Sequence, residues 1–227
     1  MKPSKESNLI EERFRNLKLY AISGLGADKQ VFKYLNLDVE LIPIDWIEPK
    51  ESETIEAYAL RLADKIDVDK PFGILGVSFG GLIAVELSKF LNPEITILIS
   101  SAETKYGLRF SYRFVSKLNI IRYLPKKILN PPKYSAHWFF GAKNKILLNN
   151  ILDKSDLSFN KWALIALVNW KNEDSVSNRL LKIHGTADKL IPSGKEKNQV
   201  LIEKGTHFMI VDRADEVSQV INQSMLH

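Results

Sequence analysis

The chain has 227 residues, 45% of them apolar, which is enough to build a substantial core and excludes wholesale disorder. It contains no cysteine, which excludes a disulfide scaffold, a zinc–thiolate site and a thiol nucleophile. Its net charge of +5 is modest, and the longest apolar run, PFGILGVSFGGLIAV (71–85), is shorter than a membrane span and broken by Ser78 and glycines.

The predicted elements alternate short apolar runs with amphipathic stretches. LKLYAIS (17–23) reads as a strand running into the glycine-rich turn SGLGAD, and 27–35 has helical spacing. VELIPIDWI (39–47) reads as a second strand, near an edge because of Pro43. SETIEAYALRLADKI (52–66) reads as an amphipathic helix with Ser52 as N-cap and Ile55, Ala59, Leu62 and Ile66 on one face. Strand 72–78 and helix 79–91 follow, then strands at 94–102, 179–185 and 198–205, and a closing helix at 214–226. The predicted fold class is α/β: a twisted, mainly parallel sheet of about six strands flanked by helices.

One irregularity interrupts this order. Residues 103–176 carry no convincing strand but three helical stretches, 108–124, 143–154 and 158–170, punctuated by Pro125, Pro131 and Pro132. A structureless loop of that length is improbable inside a compact domain. The predicted organisation is therefore a core formed by 1–102 and 177–227 with a helical insertion at 103–176.

The chemistry starts at Gly76-Val77-Ser78-Phe79-Gly80, a G-x-S-x-G motif between a strand and a helix. A sharp strand-to-helix turn lifts the serine oxygen clear of the sheet and crowds the residues two before and two after, hence Gly76 and Gly80. A serine nucleophile needs a base. Four histidines are available: His227 is terminal, His137 lies in the insertion, and His184 in KIHGTAD suits a structural hydrogen bond at the sheet end. His207, after the last strand, can fold back over the strand ends. Asp188, in HGTAD after the fifth strand, is the candidate to orient the imidazole, and Glu103, after the fourth, is the reserve.

The order Ser78, Asp188, His207 resembles that of the α/β-hydrolase superfamily, and from about residue 17 the chain is similar to a compact member of it. GVSFGG, HGTAD and GTHF resemble the elbow, the acid loop and the histidine loop. The resemblance implies an oxyanion hole from the backbone N–H groups of Leu25 and Phe79, and makes 103–176 a helical cap. Ser23 stands where similar proteins often carry histidine, and the first two strands of the family have no counterpart before residue 17. Serine at the elbow argues against dehalogenases and epoxide hydrolases, which carry aspartate there.

The resemblance thus implies a serine hydrolase of carboxylic esters or related acyl bonds, with a small-molecule acyl substrate and neither metal nor organic cofactor. A thioesterase, a C–C or cyanohydrin lyase, and a non-catalytic binding protein are the alternatives. The insertion holds 12 of the 22 aromatic residues, Phe114 among them, which either form its own core or roof an apolar pocket. Trp138, Phe139 and Phe140 in HWFFG, with Trp46 from the second strand, are the candidate substrate-binding residues, although Trp46 suits core packing equally. The insertion carries +8 and the remainder −3; its basic residues, Lys126 and Lys127 among them, suit a solvated face, the alternative being a basic lid that draws anionic substrates or rests on an acidic membrane surface. No nucleic-acid motif occurs, so no nucleic-acid partner is expected; no membrane span is expected either, and the polar MKPSKESNLIEERFRN start leads to a cytoplasmic expectation. Oligomeric state is not legible.

Overall fold

The computed structural model describes residues 16–112, 120–125, 131–194 and 198–226. Six strands, β1 (Lys18–Ile22), β2 (Glu40–Pro43), β3 (Phe72–Val77), β4 (Ile95–Ile99), β5 (Arg179–Gly185) and β6 (Val200–Ile202), form one parallel sheet in the order β2-β1-β3-β4-β5-β6. Pro43 sits in the edge strand β2, where a missing N–H costs the ladder least.

The strands at the centre are apolar on both faces, as a sheet covered on both sides requires. Along β1, Leu19 and Ala21 join one core while Tyr20 and Ile22 join the other. Along β4, Leu98 faces one side and Ile95, Ile97 and Ile99 face the opposite one. Helices α1 (Ile55–Leu62) and α2 (Phe79–Leu91) cover the first face. The last helix, Ala214–Met225, covers the second through Val217, Ile221 and Met225.

Helix α1 starts later than the sequence pattern predicts. Thr54, not Ser52, is its N-cap, its hydroxyl accepting the Ala57 N–H at 3.3 Å, while Ser52 adopts a left-handed φ of 57° in the preceding turn. The predicted face is buried, with Tyr58 added to it, and a 3-10 turn at Ala63–Lys65 ends the segment. The stretch at 27–35 is a 3-10 helix, Lys29–Tyr34, capped by Asp28, rather than an α-helix.

Between β4 and β5 the described residues contain helices and no strand. Helix α3 (Lys133–Phe140), which the sequence pattern did not reveal, follows Pro132; α4 (Lys145–Lys154) and α5 (Leu157–Asn169) match the other expectations. Of the stretch expected at 108–124, helical turns are described at 110–112 and Ile120–Tyr123; Phe114, Lys126, Lys127 and His227 lie outside the described residues. These helices do not build a core of their own. Phe159 and Trp162 of α5 pack with Trp46, Tyr58 and Phe79, and Leu148 and Ile151 of α4 join the opposite core. Among the described residues no helix is long and apolar enough to cross a membrane.

Candidate active site

All strands point the same way, so every loop that follows a strand emerges at one edge of the sheet. Ser23–Gly26 follows β1, Ser78 follows β3, Asp188 follows β5 and His207 follows β6. In open parallel sheets this carboxyl edge is where ligands bind.

Ser78 occupies φ 52°, ψ −121°, a strained conformation for a residue with a Cβ. The turn around it is tight enough to exclude side chains. A Cβ on Gly76 would lie 2.4 Å from the Gly81 Cα, and one on Gly80 would lie 2.2 Å from the Ser23 carbonyl oxygen. The elbow is held by the Ser78 N–H donating to Ile99 O at 2.9 Å, and by Ser101 Oγ donating to Ser78 O at 2.7 Å. Ser101 escaped the sequence reading: next to Ser100 it reads as an ordinary turn serine, and only the packing against the elbow singles it out.

The loops bearing Asp188 and His207 are tied together. A Cβ on Gly185 would meet Gly205 O at 2.2 Å, and Ala187 N–H donates to the same carbonyl at 2.8 Å. His207 Nδ1 lies 2.8 Å from Asp188 Oδ2, and His207 Nε2 lies 2.9 Å from Ser78 Oγ. With Nδ1 protonated, the imidazole donates to the carboxylate and accepts from the serine hydroxyl. Asp188 and His207 are both buried, at 6% and 5% exposure. Burial alone would raise the Asp188 carboxyl. The hydrogen bond and charge of His207, with the N–H groups of Ile191 and Leu190, outweigh it and hold the carboxyl below its ordinary value.

The remaining candidates are elsewhere. Glu103 pairs with buried Lys182 at 3.1 Å and accepts the Val176 N–H, so it braces the end of the inserted segment against β5. His137 pairs with Asn149 at 2.8 Å on the inserted helices, and His184 is buried within β5.

Leu25 and Phe79 both line the cavity that holds Ser78. Phe79 is the first residue of α2, whose leading N–H groups have no partner within the helix. Gly24 lies beside Ser78, since a Cβ there would lie 3.4 Å from that of Ser78. The loop is braced without histidine: Ser23 Oγ and Trp46 Nε1 both donate to the Ala27 carbonyl, at 2.7 and 3.1 Å.

The cavity has a volume of about 450 Å³ and a mostly apolar wall that includes Phe139, Phe140, Leu148, Ile151, Leu164, Leu167 and Ile191. Trp46 and Trp138 are not in that wall. Trp46 packs in the aromatic core and borders a second, more polar cavity with Glu48, Asn150, Lys154 and Asp156. Trp138 is 58% exposed, under the Lys189 ammonium. Among the described residues no cluster of three or more His, Asp or Glu is arranged to hold a metal ion.

No protein-family model matches the chain, and no curated protein matches it. Solved structures do. The enol-lactonase from Burkholderia xenovorans LB400 superposes with a TM-score of 0.69 at 16% identity, over 93% of this chain and 91% of that one. A lipase-esterase related protein from Clostridium acetobutylicum gives 0.68 at 18% identity, over 92% and 95%. The RedJ thioesterase of the prodiginine pathway in Streptomyces coelicolor gives 0.65 at 15% identity, over 91% and 89%. At such identities the likeness is one of fold.

Proposed function

On the premise that the chain has the α/β-hydrolase fold, we propose that it is a serine hydrolase of carboxylic esters or related acyl bonds, with Ser78, His207 and Asp188 as its triad. The observation that carries this reading is the continuous relay from Ser78 Oγ through both nitrogens of His207 to Asp188, at 2.9 and 2.8 Å, beside an apolar cavity.

The geometry supports the following chemistry. Ser78 Oγ attacks the acyl carbon as its proton passes to His207 Nε2, and Asp188 stabilises the resulting imidazolium. The N–H groups of Leu25 and Phe79 hold the oxyanion, a donor pair worth about 3 kcal/mol per donor in comparable sites. The tetrahedral intermediate collapses, the C–O bond to the leaving group breaks, and the imidazolium protonates the departing oxygen. Water then adds to the acyl-enzyme while His207 takes its proton; collapse restores Ser78 and releases the carboxylic acid. Residues 103–176 serve as a helical cap, and Phe139 and Phe140 contribute to the wall that accepts an apolar acyl group. A thioester would use the same residues, with sulfur as the departing atom.

The test is labelling with a fluorophosphonate, followed by intact mass, on wild type and Ser78→Ala. One adduct on wild type and none on the variant is expected. An unlabelled, folded wild type overturns the hydrolase assignment in favour of a binding protein. A labelled enzyme that cleaves neither activated esters nor acyl thioesters would point to lyase chemistry instead.

A further inference from the structure

Helix α5 presents Asn160, Leu164 and Leu167 to the cavity, positions spaced four and three apart on one helical face. Leucine suits an apolar wall, whereas asparagine does not. Asn160 is 5% exposed, and its Oδ1 is fully buried with no hydrogen-bond partner. Other polar side chains of the wall are engaged: Tyr112 donates to the Leu190 carbonyl at 3.3 Å, and Ser155 donates to that of Leu152 at 2.9 Å. Asn160 also stands against the oxyanion turn, since a Cβ on Gly26 would lie 3.3 Å from its Oδ1. Gly24, two residues back, touches Ser78.

We propose that Asn160 is a specificity-determining residue whose Oδ1 accepts a hydrogen bond from an O–H or N–H group carried a few atoms from the scissile carbonyl of an otherwise apolar acyl chain. The proposal rests on the reading of Ser78 as an acyl-transfer nucleophile. A buried acceptor without a partner, at the edge of an apolar wall, discriminates by what it gains: a plain alkyl chain leaves it unsatisfied, while a turn of the carboxamide toward a donor at the right depth completes the bond. The wall supplies length tolerance, and Asn160 supplies the requirement for one polar group.

The experiment compares p-nitrophenyl octanoate with its 2- and 3-hydroxy derivatives, the 3-methoxy derivative, which keeps the oxygen but lacks the donor, and the 3-acetamido derivative, which offers N–H. Wild type is expected to favour one donor-bearing ester over octanoate and over the methoxy ester by about tenfold or more in kcat/KM. Asn160→Leu is expected to bring that ratio to about one, with fluorophosphonate labelling of Ser78 retained. Which derivative wins separates a hydroxyl from an amide. Wild-type ratios near one, or an unchanged preference in Asn160→Leu, overturn the proposal; if the variant does not fold, the hydroxy-to-methoxy ratio of wild type decides alone. Failure of the hydrolase reading has a different signature, no labelling and no cleavage of octanoate. In that case calorimetric binding of methyl 3-hydroxyoctanoate and methyl 3-methoxyoctanoate to Ser78→Ala decides, and equal affinities overturn the role of Asn160.

Discussion

Ser101 donates its hydroxyl to the carbonyl of Ser78 at 2.7 Å, and the same oxygen would lie 2.1 Å from a Cβ placed on Gly81. One serine therefore both pins the elbow and fills the space that a side chain at position 81 would need. Gly81→Ala is expected to destabilise the fold by about 2 kcal/mol. Ser101→Gly alone should cost about 1 kcal/mol through the lost hydrogen bond. The double variant should recover most of the Gly81→Ala loss, because the clash is gone. Urea unfolding of the four proteins measures this cycle, and simple additivity of the two losses would refute the steric account.

Strain at Ser78 makes a second expectation. At φ 52° and ψ −121° a Cβ is unwelcome, so Ser78→Gly should be more stable than Ser78→Ala by about 1 kcal/mol, although both lose the hydroxyl. Equal melting temperatures for the two variants would mean that the elbow is relaxed.

Asp188 and Glu103 separate by the kind of loss they cause. Asp188→Asn should lower kcat by about 10⁴, because an amide no longer holds the imidazole in the productive tautomer. Glu103→Ala should instead cost stability, on the order of 3 kcal/mol, since it takes the carboxylate from a buried lysine, Lys182. Its activity per folded molecule should stay near wild type. Ester hydrolysis normalised to the fluorophosphonate-reactive fraction distinguishes the two.

Acid should erode the contribution of Asp188 in a defined direction. Its carboxyl lies below the ordinary value in the folded protein, so the unfolded chain binds the proton more readily and stability rises with pH through this window. The contribution is fully present above the unfolded value of about 3.9 and is lost as pH falls through the lower folded one. The stability difference between wild type and Asp188→Asn, read from denaturant titrations between neutrality and pH 3, should shrink on the acid side. A difference that grows there would contradict the assignment.

Wall residues should set chain length. Leu164 lies one turn beyond Asn160 on α5 and faces the cavity, so Leu164→Trp is expected to shift the preferred p-nitrophenyl ester toward shorter acyl chains with little change for acetate. A uniform loss across the series would mean that Leu164 acts only through packing.

Much of this protein was determined by local sequence. The strand-to-helix junctions were legible because a parallel sheet buried on both faces writes its central strands as apolar runs, and because the elbow needs glycine at 76 and 80 around Ser78. The order of Ser78, Asp188 and His207, each just after a strand, was enough to bring them to one edge once the strands were parallel. The structure alone decided the pairings: that Asp188 faces His207 while Glu103 is taken by Lys182, that Trp46 belongs to the core and Phe139 to the cavity wall, and that Asn160 is buried with an unpartnered oxygen. Helix α3, between Pro132 and Gly141, buries Ala136 alone, so it carries no apolar stripe for periodicity to reveal. The physical reason is the range of the forces involved. Backbone conformation and burial pattern are set by neighbours along the chain, whereas the choice among equally suited carboxylates, aromatics and amides depends on which side chains meet across elements far apart in the sequence, 129 residues in the case of Ser78 and His207.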